Sequence, residues 1–493
     1  MDFTDCEFLR KVSDLSRIPN LVMLILEGCK NLVIVHHSVG FLDMLVYLSL
    51  RRCYNLRSFV GSLKLRSLIY LILYGCSRLQ NFPEIECQMK CLEHINLQDT
   101  GIKELPSSIR YLFGIEILDL RGCTNLKNLP DSICQLQHLK VLCLHCCTGI
   151  KELPSSIRDL GRIERLDLDG CTNLMNLPDS IYQLQHLKIL NLNKCEQLGE
   201  ILQLPPNVVQ VNASGCISLA IFLEKPKSVL IEANLSTRRE CPFNLEDLDL
   251  SSSAIVSLPA WFNKFVGLKY LSLEDCKQLR EIPELPPKIQ VVYAHGCTSL
   301  ERFRFNRKYD LPMLRWIDFS DCPKLVRNDV QIHLLIEGHP KDHDFGCIFP
   351  RNKIPDWFSH CKEVSNATLC EIDINELSHL DWKNTIFAFS AVIGTKDVRE
   401  EHYFVILVQV SYNYLGYHQI YCNTSFGRLN SSCSDHVWLN YCGSHHSQLK
   451  TGNLQVIFTC KDIYGNPSKS VFFKSCGFHL EHGYHMKRSD RFN

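Results

Sequence analysis

An α/β solenoid bent into a horseshoe, followed by an antiparallel β-sandwich, is the architecture that this 493-residue sequence predicts. Three observations lead to it. The pattern L-x-x-L-x-L-x-x-C returns every 23 to 24 residues, beginning with Leu21, Leu24, Leu26 and Cys29. The decapeptide GIKELPSSIR stands at 101–110 and, unchanged, at 149–158. Beyond Cys322 the pattern stops, and from residue 345 short alternating apolar runs separated by polar turns take its place.

The first units continue as Leu45, Leu48, Leu50, Cys53 and Leu68, Leu71, Leu73, Cys76, and the pattern can be followed through "LRWIDFSDC" at 314, making thirteen complete units within residues 1–335. A repeat of about 20 to 29 residues with this pattern is the signature of a leucine-rich-repeat solenoid. One unit cannot bury its own leucines, so stacking creates the core. In x-L-x-L-x the leucines point inward and the x positions face solvent on the concave side. The return segment reads equally well in "NLPDSICQLQHL". There Leu129 and Pro130 end the extended part, Asp131 is expected to cap a helix, and Ile133, Leu136 and Leu139 recur every three residues, as a short inward-packed helix requires. Phe3 and Cys6 already occupy the last leucine and cysteine positions of a unit. The chain is therefore expected to begin inside a partial repeat, as a piece of a longer protein or a truncated gene product.

Twelve of the 26 cysteines fall in one column of the stack: Cys6, Cys29, Cys53, Cys76, Cys123, Cys147, Cys171, Cys195, Cys216, Cys276, Cys297 and Cys322. A small, buried, weakly polar side chain suits such a column. Metal-ligand spacing is absent apart from the cramped group Cys143, Cys146 and Cys147, so neither metal nor cofactor is expected. Lys plus Arg equals Asp plus Glu, 53 each, which leaves no global basic field for nucleic acid. No run approaches the ~18 apolar residues of a membrane helix, and "MDFTDCEFLRKV" is not a signal peptide. A cytoplasmic protein with reduced thiols is expected.

Residues 101–148 and 149–196 align without a gap and differ at 12 of 48 positions. Six of those differences fall among the ten solvent-facing strand positions and six among the other 38. Ile117 becomes Arg165, Arg121 becomes Asp169, Cys143 becomes Asn191, His145 becomes Asn193 and Cys146 becomes Lys194, while exposed return-segment residues such as Lys103, Glu104 and Gln137 are repeated. The concave face has been rewritten on a retained scaffold. Its candidate protein-binding residues are Tyr47, Arg51, Tyr70 and Tyr74 in the early part, Arg121, Glu164, Arg165, Asp167, Asp169, Asn191, Asn193 and Lys194 in the middle, and Tyr270, Tyr293 and Trp316 in the late part. Aromatic side chains and arginine are the usual anchors of protein interfaces.

The second domain, 345–486, reads as strands at "TLCEIDI", "TIFAFSAVIG", "HYFVILVQVSY", "DHVWLNYC", "NLQVIFTC" and "SVFFKSCGFHL". His479, His482 and His485 would gather ligands on a helix but splay apart on a strand, and no thiol nucleophile signature stands out here. The repeat style, together with "IPDWFSH" at 354, "SDHVWLNY" at 434 and "VFFKSCGFHL" at 471, resembles the C-terminal half of plant intracellular immune receptors of the Toll/interleukin-receptor, nucleotide-binding, leucine-rich-repeat class. That resemblance implies a jelly-roll/Ig-like C-terminal domain, with Trp357 in its core. It also implies a cytoplasmic or nucleocytoplasmic recognition module. The partner would be a pathogen effector or a guarded host protein, and the nucleotide-binding part of a full-length receptor would be held inactive. The Toll-like domain and the G-x-x-x-x-G-K-[ST] phosphate loop have no counterpart in this sequence, so neither NAD cleavage nor nucleotide binding is carried over.

Three alternatives compete with a non-enzymatic recognition module. Sequons at Asn212, Asn234, Asn366, Asn423 and Asn430 would suit an extracellular receptor or inhibitor, although Asn212 falls on a strand. A stand-alone regulator or decoy would need only the binding surfaces. A cysteine ubiquitin ligase fused to repeats would use shorter units, about 20 residues long.

Overall fold

The computed structural model describes residues 1–223, 244–304, 311, 313–327, 345–351, 353–374, 385–395, 402–414, 417–429, 435–442 and 453–482. The chain divides into two compact units, Met1–Pro259 with Lys264–Leu268, and Ala260–Asn263 with Lys269–Asn493; the division lies inside the repeat array.

In the first unit each repeat contributes a three-residue strand to one parallel sheet. Met23–Ile25, Tyr47–Ser49, Tyr70–Ile72, His94–Asn96, Ile117–Asp119, Val141–Cys143, Arg165–Asp167, Ile189–Asn191, Gln210–Asn212 and Asp247–Asp249 pair in that order without register slip. The residue at each strand centre and the one just past the strand, such as Leu118 and Leu120, are buried. Several return segments hold a single 3₁₀ turn, among them Ser107–Tyr111, Asp131–Gln135, Ile157–Asp159 and Asp179–Gln183, while others carry two-residue strands such as Ser62–Leu63 and Glu84–Ile85. No α-helix occurs among the described residues, which corrects the α/β expectation. The three-residue spacing of Ile133 and Leu136 matches 3.0 residues per turn, and a segment this short gains little from α-helix formation. The N-cap expectation for Asp131 fails as well: Pro130 holds the cap position at φ −67° and ψ 147° with no side-chain bond, and Asp131 is the first residue of the turn.

The cysteine column has a definite bonding role. Ten of its thiols each donate to the carbonyl of the last strand leucine, or its equivalent, in the preceding repeat, at 3.0–3.2 Å. The Leu120 carbonyl, for example, accepts the Cys123 amide at 3.1 Å and the Cys147 thiol at 3.0 Å. Burial pushes the thiols of Cys29, Cys53, Cys76, Cys123, Cys147 and Cys171 up, Cys53 to about 12. They are donors, not nucleophiles. Where the column holds Thr100, its hydroxyl donates to Leu97 at 2.8 Å and lies 3.3 Å from Cys123 Sγ.

The residue before each column position adopts the left-handed conformation, and along the first unit it alternates between a larger residue and glycine: Asp5, Gly28, Arg52, Gly75, Asp99, Gly122, Cys146, Gly170, Lys194, Gly215, Ser252. At Gly28, Gly122 and Gly170 the alternation has a steric reason. A Cβ on Gly122 would collide with Asp99 Oδ1, and one on Gly170 would come within 2.9 Å of Cys146 Sγ.

In the second unit Tyr270–Ser272, Val291–Tyr293 and Trp316–Asp318 continue as parallel strands. Phe345–Phe349 then pairs parallel with Trp316–Asp318 on one edge and antiparallel with Asp435–Cys442 on the other. Thr385–Thr395, Val471–His482 and His360–Ala367 extend that antiparallel sheet. Leu369–Ile374, Asn453–Lys461, His402–Tyr414 and Tyr417–Leu429 form a second antiparallel sheet in that spatial order. The two sheets share one apolar cluster, with Phe389, Trp438, Phe473 and Phe478 from the first and Ile372, Phe404, Val456 and Phe458 from the second. "SHHS" at 444, His485 and the sequons at Asn234 and Asn430 lie outside the described residues.

Gly122→Ala is expected to lower the free energy of unfolding by about 1–3 kcal/mol, from a strained φ and the collision with Asp99. Asp99→Ala in the same chain should recover the collision part but not the backbone part. Urea titrations of the two variants and the parent test this.

Candidate protein interface

Strand register stacks the concave side chains into rows. The first row runs Met23, Tyr47, Tyr70, His94, Ile117, Val141, Arg165, Ile189, Gln210 and Asp247. At its start lies an aromatic array: the Tyr47 and Tyr70 rings are 6.1 Å apart, and Tyr70 stacks on His94 at 5.1 Å with 12° between planes. Beside it the Arg51 guanidinium lies 5.3 Å from the centre of the Tyr74 ring. Met23 and Tyr70 are exposed by 46% and 39%. Sequence reading found the tyrosines and Arg51 but passed over His94, whose place directly after Tyr70 in the row was available from the repeat spacing.

The middle of the face is polar and internally paired. Lys140 bonds Glu116 and Lys188 bonds Glu164, each at 2.8 Å. The Lys188 ammonium holds Glu164 below the usual carboxylate range. Arg121 grips Asp119 with Nε and Nη2, and Arg165 reaches Asp167 at 3.0 Å. Asn193 Nδ2 donates to Asp169 Oδ1 at 3.0 Å. Arg121, Arg165 and Lys194 are exposed, and Glu164, Asp169, Asn191 and Asn193 half-buried.

Asp167 departs from the expectation of a presented carboxylate, since it is only 7% exposed. Its Oδ1 accepts the backbone N–H of Asp169 at 3.3 Å and the Asn191 amide at 3.0 Å. The same side-chain turn, from a strand-end Asp or Asn to the N–H two residues on, recurs at Asn96, Asp119, Asn191, Asn212, Asp249 and Asp318. This position ends the strand and bends the chain toward the left-handed step. Asp167 and Asn191 therefore belong to the turn more than to a ligand surface.

In the second unit Tyr270 and Tyr293 remain exposed, by 47% and 41%. Burial, then Asp318, pushes the Tyr293 phenol up. Trp316 corrects a second expectation. It is half-buried and packs against the apolar cluster of the antiparallel sheets, over Gly346, whose absent side chain makes room: a Cβ there would stand 2.5 Å from the indole.

The motifs of the antiparallel part are also structural. Ile354 and Phe358 lie against Gly477, and Trp357, which the sequence places in the core, is half-buried, with its ring 4.3 Å from that of Phe358 and 5.2 Å from that of His479. His436 Nε2 accepts the Asp321 N–H at 3.0 Å, tying the last repeat to the following sheet. His295 Nδ1 lies 2.7 Å from Ser320 Oγ in the same buried cluster. Among the described residues no group of His, Cys, Asp or Glu could hold a metal, and His479 and His482 lie on a strand. No helix of the described residues is long and apolar enough to cross a membrane.

Residues 64–153 match the family model described as disease resistance protein RPS4B-like, leucine-rich repeats. The chain is 34% identical over 302 residues to TMV resistance protein N of Nicotiana glutinosa, covering 61% of this chain and 26% of that protein. It is 30% identical over 365 residues to disease resistance-like protein DSC1 of Arabidopsis thaliana, covering 69% and 23%. Among solved structures, the leucine-rich repeat domain of the type III effector XopL is 26% identical over 37% of this chain and 73% of that one, with a TM-score of 0.30. The repeats thus resemble those of TIR-type disease resistance proteins, and the chain spans about a quarter of the length of these two curated relatives.

Asp167→Ala is expected to destabilise the repeat array by about 1–3 kcal/mol, because it strands the Asp169 N–H and the Asn191 amide. Lys188→Ala, which removes a surface pair, should leave the denaturation midpoint unchanged. Parallel urea denaturation curves separate the two roles.

Proposed function

We propose that this chain is the non-enzymatic protein-recognition part of an intracellular plant immune receptor, cytoplasmic or nucleocytoplasmic. In this reading the leucine-rich-repeat array, 1–335, binds a pathogen effector or a guarded host protein on its concave face. A C-terminal antiparallel β-sandwich of the jelly-roll/Ig-like type, 345–486, supports that contact. The observation that carries the reading is the stacked array of half-buried Tyr47, exposed Tyr70 and half-buried His94 beside the Arg51–Tyr74 pair. Large, stiff aromatic rings that are already stacked lose little freedom on binding and bury much area. The rewriting of the concave positions between the two copies of the 48-residue block supports selection on contact rather than on packing. In a full receptor the same surfaces would hold the nucleotide-binding part inactive, and a ligand with higher affinity for the released arrangement would shift the population toward it.

A two-hybrid screen of the chain against a library of secreted pathogen proteins tests recognition. A genuine ligand should lose about tenfold or more in affinity with Tyr70→Ala or Arg51→Ala, and should be indifferent to Lys103→Ala in the return segment. Binders insensitive to both concave variants would count against the proposal.

A further inference from the structure

The two copies of the duplicated block differ where the first has His145 and Cys146 and the second Asn193 and Lys194. In the first copy Cys146 Sγ lies 3.3 Å from His145 Nε2, and His145 Nδ1 lies 3.2 Å from Asp169 Oδ2. The imidazole thus meets a thiol with one nitrogen and a carboxylate with the other. In that order the carboxylate keeps the proton on Nδ1 and leaves Nε2 free to accept one. We propose that Cys146 is a nucleophilic thiol, with His145 as its base and Asp169 as the positioning residue, that takes up small α,β-unsaturated carbonyl compounds as covalent adducts on the concave face.

All three groups are reachable: the His145 and Asp169 side chains are 43% and 22% exposed, and Cys146 is half-buried. They are also fixed. Asp169 is held on its other oxygen by the Asn193 amide, and the Cys146 amide donates to the Asp169 carbonyl at 2.6 Å. Cys146 occupies the left-handed step at φ 58°, and its sulfur fills the space that Gly170 leaves by lacking a side chain. Burial and then Asp169 push the Cys146 thiol up, with Lys194 opposing, so the resting group is the thiol and its proton leaves during the reaction.

The step balances without an oxidant or a leaving group. The Sγ proton passes to His145 Nε2 while the sulfur pair forms the Sγ–C bond at the β-carbon. The π pair of the double bond moves onto the enolate, and the imidazolium returns its proton to the α-carbon. Acyl transfer is a poorer match. The amides of Cys146, Cys147, Thr148 and Gly170 are committed to the carbonyls of Asp169, Leu144, Cys146 and Asn193, which leaves none of the four for an oxyanion. The adduct is stoichiometric, so the inference is independent of protein recognition and compatible with a non-enzymatic module.

The test treats the full chain with limiting N-ethylmaleimide at neutral pH and follows adducts by peptide mass spectrometry. Cys91, an exposed thiol of the same chain, is the internal reference. Cys146 should react roughly tenfold faster or more, a floor set below the ~10²–10⁴-fold that general-base assistance supplies because the thiol is half-buried. His145→Asn installs the residue that the second copy carries at the equivalent position, and should bring Cys146 down to the Cys91 rate or below while leaving Cys91 unchanged. Asp169→Asn should slow Cys146 and Asp169→Glu should restore it, a distinction that loss of folding would not produce. A Cys146 no faster than Cys91, or one indifferent to His145→Asn, overturns the proposal.

Discussion

Just past most strands of the array stands a leucine, or its equivalent, whose carbonyl the next residues turn away from, and that carbonyl has two lone pairs to satisfy. One takes the amide three residues on, and the other takes the column thiol of the following repeat. A buried carbonyl left half-satisfied is costly, so the column position must carry a small donor that reaches back by one repeat. Cysteine meets this with little polarity of its own, while Thr100 departs from it, its hydroxyl donating to Leu97 of its own repeat, whose carbonyl also accepts the Cys123 thiol. Strand spacing, the turn and the left-handed step all follow from keeping that donor in reach. The same requirement explains why so many thiols are chemically quiet, and why a thiol one residue earlier, at Cys146, can be otherwise.

Much of the solenoid was legible because its constraints are local and repeated. Leucine alternation, the cysteine column and the punctuating prolines recur at one spacing, so errors in one unit are corrected by the next. Misreadings arose where the decisive partner is not periodic. Asp167 looked like a presented carboxylate because its alternation is that of a solvent position, yet its oxygen is taken by an amide two residues ahead. Trp316 looked like an anchor because the glycine that receives its ring belongs to a later strand. The 3₁₀ turns are legible in the spacing of three between Ile133 and Leu136, which fits 3.0 residues per turn better than 3.6.

The antiparallel part shows the same division. Six of its strands stand out as alternating apolar runs. Phe345–Phe349, buried throughout, has no alternation to read, while His360–Ala367 is mostly polar and turns no residue fully inward. Phe345–Phe349 is nonetheless the strand that joins the two kinds of sheet, parallel to the last repeat and antiparallel to Asp435–Cys442. The bond from Asp321 to His436 lies beside it, so the family-like stretch at "DHVWLNY" reads as the fastening of the junction.

The alternation of larger residue and glycine at the left-handed step bears on how such an array can be inherited. Gaining or losing a single repeat inside the first unit would set two larger side chains in succession, or two glycines; the first outcome crowds a pair such as Asp99 with Gly122, although Ser252 and Asp275 do follow one another at this step later in the chain. A gain of two repeats keeps the order intact. The duplicated block is 48 residues, two repeats, and it carries Gly122 then Cys146 onto Gly170 then Lys194. Along the first unit, steric order at one backbone position therefore favours recombination in even steps, and the pair, not the single repeat, is the unit by which its concave surface could lengthen with the order kept.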